Sequence, residues 1–196
     1  MKLNSKSKPF LALVLAIAIA ATGCTAEWIN VALQDLPVLT QMALNIATLV
    51  SALATGQQAS TADVAVVQNI SAQASRDLNL LQTLYNDYKA APNASKLQKI
   101  QSVVADLNEK LPNLLQSGHI SNPTVSARIA AAVNLIITTV NSFAPIMPRA
   151  SMPSSSKAPA ATLPHAKDLK RQWNQQVCAP SGSPALDAAF AASVLR

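Results

Sequence analysis

The chain has 196 residues, half of them hydrophobic, with 4 % aromatic and 12 % charged side chains and a formal net charge of +6. That length and apolar content are enough for one domain with a proper core. The scarce aromatics and the scattered basic residues, Lys89, Lys96, Lys99, Lys110, Arg149 and Lys167 among them, exclude the basic stripe with stacking platforms expected of a nucleic-acid binder.

The N-terminal segment carries Lys2, Lys6 and Lys8, then an apolar run from Phe10 to Ala21, then small residues. This is the pattern of a secretory signal peptide. The run is too short for a spanning helix, which needs roughly 20 apolar residues. The residues Ala21-Thr22-Gly23-Cys24 resemble the lipobox of bacterial lipoproteins, with Ala21 replacing the usual Leu. The resemblance covers only this leader. It implies cleavage between Gly23 and Cys24, removal of residues 1–23, and attachment of several acyl chains, palmitate among them, at Cys24. The protein would then be held in the bacterial cell envelope. The competing reading is ordinary secretory cleavage near Ala18-Ile19-Ala20, which leaves Cys24 free to pair with Cys178. In lipoproteins of the enteric type an Asp after the Cys retains the protein in the inner membrane, so Thr25 implies the outer membrane, facing the periplasm, where the host has one. Without the leader the net charge falls from +6 to +3, because three of the fifteen basic residues go with it.

After Cys24 the pattern is helical. Gly56, Gly118 and Gly182 lie where apolar periodicity stops. A first helix is predicted from about Glu27 to Ala54, with a stripe of Leu33, Leu36, Leu39, Ala43, Ile46, Val50 and Leu53. Pro37 either kinks it or ends a short leading helix. Ser60 and Thr61 are candidate caps for a second helix through Ala90, whose stripe is Val67, Ile70, Ala74, Leu78, Leu81, Tyr85 and Tyr88. Ser95-Lys96-Leu97-Gln98 reads as a capping box. It opens a third helix with Leu97, Ile100, Val104, Leu107, Leu111 and Leu114 in three-four alternation, and Pro112 predicts a bend or a broken last turn.

Asn122-Pro123 is the expected start of a fourth helix running to about Phe143. Apolar nearly all round, it is predicted to be the most buried element. Its Ile136-Ile137-Thr138-Thr139-Val140 stretch also suits a strand, but the Ala-rich flanks favour helix. Short connections make sequential helices antiparallel neighbours. The predicted fold is therefore all-α: an up-down-up-down four-helix bundle over residues 24–144, a Pro/Ser/Ala-rich flexible linker over 145–165, and short C-terminal helices over 166–196. Trp173, Leu186, Phe190 and Val194 are the candidate anchors for docking this last segment on the bundle.

Catalytic and metal chemistry finds little support. His119 and His165 have no His-x-x-x-His or Glu-x-x-His spacing, and the apolar stripes as read contain no carboxylates, so neither a metal nor a cofactor is expected. Asp106, Glu109 and Lys110 read as a solvated, salt-bridged face. The serines at 154–156 read as linker, and no phosphate-binding loop is present. Asn69 and Asn93 begin glycosylation acceptor patterns that a bacterial lipoprotein would not normally use. Cys178 reads as a buried thiol beside Trp173 or as a site of pairing between chains. The functional expectation is a noncatalytic, lipid-anchored interaction or structural module, with the membrane and a partner protein or second copy as its contacts. The alternative is a carrier whose helices, splayed at Pro37 and Pro112, hold a small apolar or lipid ligand.

Overall fold

The structure, a computed structural model, describes residues 25–55, 60–117, 120–147 and 163–196. The leader with Gly23 and Cys24, the turn residues Gly118 and His119, and the linker with its serines at 154–156 lie outside them. The fold is an all-helical bundle, with no strand among the described residues. Its elements are α1 (Thr25–Thr55), α2 (Thr61–Ala90), α3 (Ala94–Ser117), α4 (Pro123–Ser142), a 3₁₀ turn (Ala144–Ile146), α5 (Ala166–Gln176) and α6 (Pro184–Ala192).

At 31 residues, α1 is about 45 Å long. It runs unbroken through Pro37, whose ring faces solvent, so no separate leading helix ends there. α3 likewise continues through Pro112 to Ser117. Two helix starts follow the sequence signals. Ser60 caps α2 in a capping box: its Oγ accepts from the Asp63 N–H at 3.1 Å, and the Asp63 carboxylate accepts from the Ser60 N–H at 3.4 Å. Asn122 caps α4, accepting from the N–H groups of Thr124 and Val125 at 3.0 and 3.1 Å, with Pro123 opening the helix.

The start of α3 differs from expectation. Asn93, not Ser95, is the cap, and its Oδ1 accepts from the Lys96 N–H at 2.9 Å. Lys96 also closes the end of α2, donating through Nζ to the carbonyls of Asp87 and Ala91. A cation at a helix C-terminus is favoured by the helix dipole and by the carbonyls exposed there.

All seven residues of the predicted α2 stripe are buried, as are Leu97, Ile100, Val104, Leu107 and Leu111 of α3. On α4, Val125, Ile129, Val133, Ile136 and Val140 are buried, and the β-branched stretch is helical. Among the described residues, α1 contributes the most buried side chains. It packs against α2, α4, α5 and α6, and its heptad-like series Trp28, Ala32, Asp35, Leu39, Met42, Ile46 and Leu49 is wholly buried. α4 with its following turn is long and apolar enough to cross a membrane by length and composition, yet 44 % of that apolar window is buried within the protein. Packing against α1, α3 and α5 accounts for this composition.

The C-terminal segment sits on α1 and α4. Trp173 is fully buried and donates its Nε1–H to the Ser193 carbonyl at 2.8 Å; Asn45 of α1 donates to the same carbonyl at 3.1 Å. Leu169, Val177, Leu186 and Phe190 complete the apolar contact. Val194 does not. Because α6 ends at Ala192, Val194 leaves the helical stripe and is 42 % exposed. Met147, assigned to the linker by composition, is buried in the core.

Candidate functional site

The expectation of carboxylate-free buried faces is wrong at Asp35. Its series on α1 repeats in steps of four and three, and Asp35 is the only charged member, 1 % exposed. Neither carboxylate oxygen makes a hydrogen bond of good geometry. Burial pushes the Asp35 carboxyl up to about 7, an effect only partly offset by the charge of His165 and the N–H of Ala166. Those two residues are the start of α5. His165 is the N-cap residue and its side chain makes no capping bond, so the carboxyl of α1 lies where a capping acceptor would.

Two turns earlier, Trp28 packs edge-on against Tyr85 of α2, with ring centroids 5.6 Å apart, and lies 6.4 Å from the Tyr88 ring. The Trp28 Nε1 and the Tyr85 hydroxyl are both buried without a hydrogen-bond partner. Burial also drives the Tyr85 phenol further from ionisation. The first half of α1 thus carries several unpaired polar atoms. Its second half contributes an apolar seam from Leu39 to Val50, crossed by one buried hydrogen bond, from Ser71 Oγ to the Ala43 carbonyl at 2.6 Å.

Asp63, 3 % exposed, is the opposite case from Asp35. Its Oδ2 accepts from the Ser121 hydroxyl and from the N–H groups of Ser121 and Ser60, which hold its carboxyl below the usual range, the Ser121 hydroxyl most strongly. It ties the start of α2 to the turn before α4. At the other junction, Arg128 of α4 donates to the carbonyls of Gln176 and Ala179 at 2.5 and 3.3 Å and covers the Phe190 ring at 5.7 Å. Cys178, next in line, is half-buried and free. Burial raises its thiol, and hydrogen bonding to Trp173 together with the Arg128 charge partly opposes this. A raised thiol pKa leaves little thiolate for nucleophilic chemistry.

Asp106 and Lys110 form the expected surface ion pair at 2.8 Å, with both side chains about half exposed. Among the described residues, no group of three or more His, Cys, Asp and Glu side chains is placed to hold a metal. The described surface carries open depressions. One, about 260 Å³, lies between α3 and α4 beside the reciprocal amide pair of Asn108 and Asn141. Another, about 490 Å³, is lined by Pro37, Val38 and Gln41 of α1 and by Lys170, Val194 and Leu195. No protein-family model, curated protein or solved structure matches the chain.

Proposed function

We propose that the chain is a lipid-anchored protein of the bacterial cell envelope, held through Cys24, whose helical body is a noncatalytic interaction or structural module. The observation that carries this reading is the lipobox-like Ala21-Thr22-Gly23-Cys24 at the end of the apolar leader, with α1 starting at Thr25, the next residue. A helix beginning there leaves no tether, so acyl chains on Cys24 would seat the body against the bilayer. α1 to α4 are read as an up-down-up-down four-helix bundle: α1–α2, α2–α3, α3–α4 and α1–α4 are all packed pairs, as in a closed ring of antiparallel neighbours. Leu44 on α1 and Leu80 on α2 are exposed and are where a partner helix or a second copy would pack, and Thr25 favours the outer membrane.

Replacing Cys24 with Ser in the full chain is expected to move the protein from the membrane to the soluble fraction with its helical circular dichroism unchanged. A variant that stays membrane-bound contradicts the anchor. The carrier alternative keeps one observation in its favour, the depression at Pro37 with Val38, Val194 and Leu195 on its walls and Lys170 beside them. A lipid retained in native mass spectrometry of protein taken from its host would favour it over the module.

A further inference from the structure

We propose that the buried carboxyl of Asp35 and the His165–Ala166 start of α5 form an acid-tightened latch that holds the C-terminal segment against α1 and loosens when Asp35 ionises. The geometry supplies each part. Asp35 is fully enclosed in the face of α1 on which the other elements pack, and neither oxygen makes a hydrogen bond of good geometry. A neutral carboxyl fits such a place, whereas an isolated carboxylate does not. The lid over it is α5, whose first turn closes through the Asp168 and Leu169 N–H groups onto the His165 carbonyl at 2.7 and 3.0 Å.

The charged group that acts on Asp35 is His165, on the lid itself; α2, α4 and α6, which also pack on α1, contribute none. Loosening α5 lets the carboxylate reach water, so opening and ionisation are linked. The folded carboxyl sits near 7, above its ordinary value of 3.8. A raised carboxyl pKa stabilises the closed form fully below about pH 4, and that stabilisation is lost as pH rises through about 7. The segment that moves is tied to the bundle by few hydrogen bonds: Asn45 to Ser193, and Arg128 to Gln176 and Ala179. Its movement would widen the open depression beside Val38 and Gln41 of α1.

The test is amide exchange of the full chain at pH 5 and pH 7.5, corrected for the intrinsic pH dependence of exchange, for the parent and for Asp35→Asn. The parent should lose at least about tenfold of its protection at Asp168 and Leu169 on going to pH 7.5, since each unit of pKa difference is a tenfold change in the opening equilibrium. α2 amides at Leu78 and Leu81 should change less. Asp35→Asn, which cannot ionise, should show no such loss. His165→Gln, which removes the favourable charge, should move the midpoint of the parent's transition to higher pH. Unchanged protection in the parent, or an equal loss in Asp35→Asn, overturns the latch. If Asp35→Asn fails to fold, carbon-detected titration of Asp35 in the parent decides: a midpoint near 4, or one that does not coincide with the loss of protection at Asp168 and Leu169, contradicts the proposal, and one near 7 that coincides with that loss upholds it.

Discussion

The α1–α2 pair and the C-terminal segment are both helical and both buried against the same core, but different forces hold them. The α1–α2 interface is a long apolar seam, with Leu39, Met42, Ala43, Ile46, Leu49 and Val50 facing a stripe that runs from Val67 to Tyr88. Burial of this kind is spread over many side chains, each Leu- or Ile-sized group contributing about 1.5–3 kcal/mol. The C-terminal segment has two short helices and relies on a few large anchors, Trp173 and Phe190 above all, plus side chains that bond to backbone carbonyls where its helices end. An element stabilised by a few specific contacts opens locally more easily than one stabilised by a continuous stripe.

The sharpest way to separate the two regions is to damage each once. Trp173→Ala removes the largest buried side chain and the bond to Ser193. It should cost about 3–5 kcal/mol, felt chiefly as release of α5 and α6, so limited proteolysis should cut after residue 163 while α1–α2 amides stay protected. Leu78→Ala, in the middle of the α2 stripe, should cost about 2–5 kcal/mol. There the loss should appear as a single lowered urea midpoint by every probe. Equal behaviour of the two variants would erase the distinction.

Much of this contrast was legible in the sequence. The α2 stripe could be read residue by residue because its buried positions are all apolar and follow one helical period. Asp35 could not, because the stripe read for α1 was built from apolar residues alone, although its spacing from Trp28, Ala32 and Leu39 places it on the buried face. Hydrophobic periodicity is blind to a buried carboxyl. The docking contacts of the C-terminal segment were only partly visible for a different reason: Arg128 reaches carbonyls 48 and 51 residues away, and backbone acceptors leave no mark in a sequence. Val194 was misplaced by a smaller error of the same kind, since the end of α6 decides whether it continues the stripe.

A smaller effect sharpens the role of those carbonyl contacts. Arg128→Lys keeps the charge but loses the planar fork that spans Gln176 and Ala179. It should cost about 1–3 kcal/mol, seen as increased exchange of α5 amides with α2 unaffected. A variant of full stability would show that the apolar anchors alone hold the segment. Smaller still is the cap of α3. Asn93→Ala should cost about 1 kcal/mol and Ser95→Ala less than about 0.5 kcal/mol in matched urea titrations, and the reverse order would restore Ser95 as the cap.

The anchor at Cys24 is the claim on which the functional account rests, and the intact mass of the N-terminal peptide from protein extracted from host membranes tests it most directly. The account predicts a peptide beginning at Cys24 and carrying acyl-chain mass on that residue. A peptide beginning near Ala21, with an unmodified Cys24 thiol or a disulfide to Cys178, would contradict it.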